Sequence, residues 1–378
     1  PLNEQKRIVA KIEALQERSQ RVKAELEAIR PLLDNFRQSV LAAAFRGDLT
    51  KDWREKNPDI EPASELLERI KIERRQRWEE AELEKMAAQG KTPKDEKWKQ
   101  KYKEPASVDT EGLPELPDGW CWVNADQCTF LITDGEHATP KRSNNGVYLL
   151  SARNILNGKI SFEKVDYVSE EVYQKLEKRL KVTTGDVLLS CSGTVGRSCI
   201  VPKDLKCAFV RSVAILKPIF SMGEYLSLAL RSPQLQSQIE KKKTQTAQSN
   251  IFQGRIKTLV IPVAPLQEQT VILKAIKEVV QIADTIEQQY QKAETDLKTL
   301  NQSILAKAFR GELVPQDPND EPASTLLEKI RAERETTNKT TKQKKSTTTK
   351  TTNRSRKKTT QKPPPPETPT QLKLPGFE

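Results

Sequence analysis

The feature that most restricts how this chain can fold is a stretch it contains twice. The first copy opens with Pro1-Leu2-Asn3-Glu4-Gln5 and closes with Ala44-Phe45-Arg46-Gly47-Asp48-Leu49. The second opens with Pro265-Leu266-Gln267-Glu268-Gln269 and closes with Ala308-Phe309-Arg310-Gly311-Glu312-Leu313. Both ends are offset by 264 residues, so the copies align without a gap. The echo continues as Glu61-Pro62-Ala63-Ser64 and Glu321-Pro322-Ala323-Ser324, where only the intervening loop has changed length.

Each copy carries a coiled-coil pattern. Ile8, Ile12, Leu15, Ser19, Val22, Leu26, Ile29, Leu33, Phe36 and Val40 alternate at steps of four and three. Ile272, Ile276, Val279, Ala283, Ile286, Tyr290, Ala293, Leu297, Leu300 and Ile304 repeat the same steps. A 3.5-residue period makes a narrow apolar seam that calls for one partner helix. The spacing therefore predicts a long helix over 1–50 and, within 265–335, a second long helix with a short helix after it; the seams can face each other, which makes an antiparallel coiled coil and is the arrangement expected, or a second chain. Pro31 is expected to kink the first, because it removes a backbone hydrogen bond. Gly47 and Gly311 fit the left-handed residue that closes a helix.

The chain between the copies has two characters. Residues 51–112 form a charged connector, with a helix expected from Ser64 through Met86 and a stop at Gly90. From 113 to 264, short β-branched runs alternate with Gly/Asn/Ser turns, which signals strands. Expected strands are 120–123, 147–151, 186–190, 198–201, 208–217 and 256–263, with helices at 170–180 and 223–243. The fold class is thus α+β, with one mixed globular domain between two repeated helices. Its last strand leads into the second long helix. The logic of the repeat implies that an equivalent domain precedes the first, and Pro1 is not a natural start.

Composition bounds function once it is located along the chain. The net charge of +12 divides into +1 over 1–112, +6 over 113–264, −4 over 265–335 and +9 over 336–378. The last segment is Thr/Lys-rich, has no aromatic before Phe377, and reads as a disordered basic tail making salt-sensitive phosphate contacts or aiding solubility. Mean hydropathy is −0.69, and no apolar run approaches the roughly 20 residues of a membrane span. Five cysteines without C-x-x-C spacing point to a reduced, cytoplasmic protein. No G-x-x-x-x-G-K-[ST] loop for ATP is present, and no Cys/His cluster has zinc spacing.

Nearly the whole chain resembles the DNA specificity subunit of type I restriction-modification systems. The resemblance rests on the helix-end motifs above, Leu116-Pro117-Asp118-Gly119-Trp120, Asp134-Gly135-Glu136-His137-Ala138-Thr139-Pro140, and Gly185-Asp186-Val187-Leu188-Leu189-Ser190 with Gly193-Thr194-Val195-Gly196. Members usually carry two target recognition domains, and this chain shows one, so it is similar to a C-terminal portion or a half-subunit. The resemblance implies a non-catalytic subunit in phage defence that reads half of a bipartite double-stranded site. A second recognition domain or self-dimerisation would supply the other half. It further implies methyltransferase subunits using S-adenosylmethionine and a restriction motor subunit using ATP and Mg, with no cofactor or metal held by this chain itself.

Base edges are read by Arg on guanine and by Asn or Gln on adenine, while Lys, Ser and backbone amides hold phosphates. Three polar clusters meet that requirement. The first is Lys141, Arg142, Ser143, Asn144 and Asn145, followed by Arg153-Asn154; the second is Ser190, Ser192, Gly193, Thr194, Gly196 and Arg197; the third is Lys241, Lys242 and Lys243, then Gln245, Gln248, Asn250 and Arg255; His137 and Thr139 are further candidates for contact with DNA. His137, the single histidine, suits a turn or DNA-backbone contact better than catalysis. Two other readings stand beside this one. Asp59 with Asp95-Glu96-Lys97 spells a spread-out nuclease metal motif, and the heptads alone would suit a coiled-coil protein scaffold.

Overall fold

The computed structural model describes residues 1–93, 95–136, 138, 140–244 and 249–346, with 337–346 described by backbone alone. Helix α1 spans Leu2–Arg46, α2 Lys51–Lys56 and α3 Ala63–Ala88. Seven strands follow: β1 Cys121–Asn124, β2 Thr129–Asp134, β3 Arg142–Ser143, β4 Val147–Leu150, β5 Ile155–Leu156, β6 Lys159–Ile160 and β7 Asp166–Val168. Then come α4 Glu170–Arg179, β8 Val187–Ser190, β9 Ser198–Ile200, β10 Cys207–Phe209 and β11 Val213–Pro218. The chain continues through α5 Gly223–Arg231, α6 Pro233–Lys242, α7 Gln253–Lys257, β12 Val260–Val263, α8 Leu266–Phe309 and α9 Ala323–Ser346. The expected tail beyond Ser346 lies outside the described residues.

Two compact units result. One joins Pro1–Ser19 to the chain from Thr299 onward, and the other is Gln20–Lys298. In the first, Ser19 Oγ donates to Asn301 Oδ1 at 2.8 Å, and Arg7 grips Asp320 at 2.6 Å. In the second, Arg37 bridges Asp284 at 2.8 Å and Glu287 at 2.6 Å, and the Arg30 guanidinium lies 5.7 Å from the centre of the Tyr290 ring. Within each unit, positions rise along α1 as they fall along α8, so the helices pair antiparallel as their repeat requires. Pro31 does not end α1, which continues as one helix.

The seam departs from strict heptads at matching places in both copies. Val22 and Ile286 are exposed, as are Phe36 and Leu300, and each pair is related by the 264-residue offset. The next residues, Arg37 and Asn301, turn partly inward instead and make the polar contacts just described. A period of 3.6 drifts relative to 3.5, and one polar step in each copy absorbs the drift.

The repeated end motifs acquire a physical reason at the junction with the central domain. Glu268, 0% exposed, accepts from Thr50 Oγ1 at 2.6 Å, Arg54 Nη1 at 2.5 Å and Trp120 Nε1 at 2.8 Å. One carboxylate thus ties the end of the first helix, the opening of the domain and the start of α8. Gly47 adopts φ 82°, and a Cβ there would come 2.5 Å from Pro117 Cγ, so the tight approach requires glycine. Phe45 packs edge-on against Tyr225 of α5 with ring centroids 5.2 Å apart. The resulting core runs from Val40, Leu41 and Ala44 through Leu66 and Ile70 of α3 to Ile272 and Ile276 of α8.

The domain holds two four-stranded sheets. One is antiparallel throughout, ordered β2-β11-β8-β9; the other, β10-β4-β7-β3, has a single parallel pair, β10 with β4. A short antiparallel pair, β1 with β12, brings the domain's two ends together. Three expectations need correction. The run 208–217 is two strands in different sheets, β10 and β11, separated by Val210, Arg211 and Ser212. The run 256–263 begins as helix α7 and becomes a strand only at Val260. The helix over 223–243 breaks at Ser232, whose hydroxyl caps α6 through Leu235 N–H with Pro233 at its first position. Strand β2, absent from the sequence reading, forms the edge of the antiparallel sheet.

Two predictions follow from this packing. Phe45 is 2% exposed and its repeat counterpart Phe309 is 92% exposed. Phe45→Ala is therefore expected to cost about 3–5 kcal/mol and Phe309→Ala less than about 0.5 kcal/mol, by chemical denaturation of each variant. Burial pushes Cys128, Cys191, Cys199 and Cys207 up to about 12 and Cys121 up to about 11. Thiols with raised pKa values favour folding below the ordinary value near 9 and lose that contribution as pH rises toward 12. The melting temperature should fall above pH 9, and a thiol reagent at pH 8 should label the protein rapidly only after denaturant is added.

Candidate nucleic-acid interface

The sheets and the segment before α7 enclose one open cleft of about 700 Å³. One wall is the end of β2, Asp134 to Glu136. There the chain passes so close to β10 that a Cβ on Gly135 would lie 2.4 Å from the Phe209 carbonyl oxygen. Glu136 N–H donates to that same carbonyl, and Arg211 N–H returns a bond to the Glu136 carbonyl at 3.0 Å. The opposite wall joins Cys191 and Ser192 to Asn250 and Ile251. Ile251 N–H donates to the Cys191 carbonyl and Gly193 N–H to the Ser249 carbonyl, both at 3.0 Å. Cys191 N–H donates to the Ser212 carbonyl at 2.9 Å, completing the floor. Backbone bonds thus hold the loops that line the cleft.

Of the residues expected to touch DNA, Arg142, Ser192 and Asn250 line this cleft, one from each of the three polar clusters. Gly193 and Thr194 are exposed beside it on the turn after β8. That turn is built by Ser190, whose buried hydroxyl donates to the Thr194 carbonyl at 2.6 Å and accepts from Arg197 N–H at 2.9 Å. Lys141 is exposed, and neither it nor Arg197 forms a side-chain ion pair or hydrogen bond among the described residues. Arg255 is exposed but spends one N–H on the Lys242 carbonyl at 2.8 Å. Arg153 reaches Asp166 at 2.6 Å, and Arg142 approaches the same carboxylate at 3.5 Å. His137, Thr139, Gln245 and Gln248 lie outside the described residues.

Asn154 leaves the set of candidates. Its side chain is 0% exposed, with Oδ1 accepting from Ser151 N–H and Nδ2 donating to the Ser161 carbonyl. A fully buried amide bonded through both its oxygen and its nitrogen stabilises a turn and presents no exposed edge to a base. The structure adds residues that the sequence reading passed over: Asp134, Glu136, Arg211, Ser212, Phe252 and Gln253 also line the cleft. Arg211 and Ser212 were hidden because they read as the middle of a strand. Phe252, 62% exposed, stands at the N-cap of α7, just ahead of the expected strand 256–263.

Charge differs between the cleft lining and the residues outside it. Inside, Asp134 and Glu136 balance Arg142 and Arg211, and Glu136 is paired with Arg179 at 3.1 Å. Burial, and after it the carboxylate of Asp134, pushes the Cys191 thiol up to about 12, so this cleft thiol stays protonated at neutral pH. Outside the cleft lining, Lys141, Lys241 and Arg255 are exposed and Arg197 is half-buried. For the nuclease reading, Asp59 is exposed, and Asp95 accepts from Lys97 N–H in its own turn at 3.1 Å. Among the described residues no group of three or more His, Cys, Asp or Glu side chains is placed to hold a metal ion. No described helix is long and apolar enough to cross a membrane.

Comparison with known proteins agrees with this architecture. Residues 137–295 match the family described as the type I restriction modification DNA specificity domain. The chain is 29% identical over 346 residues to the EcoBI type I restriction enzyme specificity subunit of Escherichia coli, covering 88% of this chain and 63% of that protein. It is 27% identical over 354 residues to the EcoDI specificity subunit of the same species, covering 88% and 67%. Among solved structures, a chain from work on complex assembly and conformational transition of the type I restriction-modification system shares the fold. Its TM-score is 0.53 at 22% identity, over 83% of this chain and 60% of that one. The chain thus spans about two thirds of the length of these relatives. With one globular domain set between duplicated, antiparallel helices, it is similar over most of its length to type I restriction-modification DNA specificity subunits, and residues 137–295 match that family's DNA specificity domain.

Proposed function

We propose that this chain reads one half of a bipartite double-stranded DNA site and carries out no covalent step itself. The observation that supports the reading most directly is the convergence of one residue from each of three polar clusters, Arg142, Ser192 and Asn250, distant in sequence, on one cleft. Exposed lysines and arginines suit phosphates, which fix register, while the interior suits base edges, which carry sequence. The antiparallel helices act as a spacer and as a platform for methyltransferase and restriction subunits. Methylation with S-adenosylmethionine and ATP-driven cleavage with Mg belong to those partners, and the complex works in the cytoplasm.

The second half-site needs a second reader. Phe45 is covered by its domain whereas the repeat-equivalent Phe309 is bare, which fits a junction that takes a further recognition domain or the domain of another copy.

Two measurements test the proposal. Sequencing the methylated adenines of cells with and without the gene should show one motif lost on deletion; an unchanged set refutes it. In titrations of the full chain with duplex DNA, Lys141→Ala and Arg197→Ala should weaken binding about equally for all sequences. Each should also lower the slope of log affinity against log salt by about 0.9.

A further inference from the structure

The cleft contains one arginine that the surrounding structure does not use. Arg142 shares Asp166 with Arg153, whereas Arg211 is exposed and its guanidinium meets no acceptor among the described residues. Its backbone, by contrast, is fixed. Arg211 N–H donates to the Glu136 carbonyl at 3.0 Å, its own carbonyl accepts from Cys191 Sγ at 3.4 Å, and the next residue accepts from Cys191 N–H. The short segment between β10 and β11 therefore presents a five-donor fork from a rigid base, which lowers the ordering cost of using it.

What the fork would meet follows from its surroundings. Asp134 and Glu136 line the same cleft, Glu136 already paired with Arg179, so a phosphate drawn to Arg211 would meet carboxylate charge beside the guanidinium. A base edge has no net charge and offers donors and acceptors together. Guanine presents N7 and O6 as paired acceptors in the major groove, matching two parallel N–H groups of a guanidinium. The carboxylates that repel a phosphate are tolerant of the exocyclic amine of the paired cytosine. We propose that Arg211 is a specificity-determining residue that reads a guanine in the half-site bound by this domain, which fixes one G·C pair in the recognised sequence. The inference rests on the DNA-reading function proposed above and narrows it to a residue and a base.

Selection of the full chain, wild type, Arg211→Ala and Arg211→Gln, against a duplex pool with a randomised central segment tests this. The wild type should enrich a motif containing an invariant G·C pair. Arg211→Ala should relax that pair alone, reducing discrimination there by about tenfold to a hundredfold, with the other positions kept. Arg211→Gln should shift the same position toward A·T, since an amide pairs with adenine N6 and N7. An unchanged motif in both variants overturns the assignment. So does a loss of affinity that is uniform across sequences and accompanied by a shallower salt dependence, because that marks a phosphate contact. A wild-type chain that enriches no motif sinks the underlying function as well, and is distinguishable because the failure then precedes any substitution.

Discussion

The buried carboxylate of Glu268 is the interaction on which the larger unit depends. It is taken fully out of water, and such a charge is tolerated only when its lone pairs are filled by donors of good geometry. Here a hydroxyl and a guanidinium from the segment just after the first helix, Thr50 and Arg54, and the indole N–H of Trp120 at the opening of the domain fill them. Removing a single donor leaves a buried charge short of partners, which costs about 3–5 kcal/mol in comparable pairs. The site therefore works as a three-way joint. It fixes how the domain leaves the first helix and enters the second, and so sets the direction in which the cleft faces.

The helices show how duplication handles imperfect periodicity. Both copies expose the same two seam positions and turn the residue after one of them inward as a polar contact. Arg37 and Asn301 occupy equivalent places and are satisfied differently, by two carboxylates in one unit and by the Ser19 hydroxyl in the other. The geometry of the step persisted while its chemistry diverged. A polar pair at a seam position fixes register at some cost in stability, which suits helices meant to pair one way.

In the proposed DNA-reading role, affinity and selectivity would come from different side chains. Exposed cations outside the cleft lining, such as Lys141, would contribute a salt-dependent, sequence-independent attraction. Within, opposite charges cancel, so binding there rewards complementary donors and acceptors over charge. The same division explains why a composition-level charge excess of +6 over 113–264 said little about which residues meet a base.

The duplicated motifs, the long helices and strands such as β1, β4, β8 and β9 were legible in the sequence, because these are local or periodic signals. Gly47 and Gly311 were recognisable as helix ends for the same reason. The tertiary structure alone decided that the run 208–217 divides between two sheets, since alternation cannot tell one strand from two that part at Arg211. It alone showed Asn154 to be consumed inside a turn, because an Asn in a polar cluster looks the same in sequence whether its amide faces solvent or carbonyls. Which side chains share a cleft depends on strand order, and strand order is set by long-range pairing that no local spacing records.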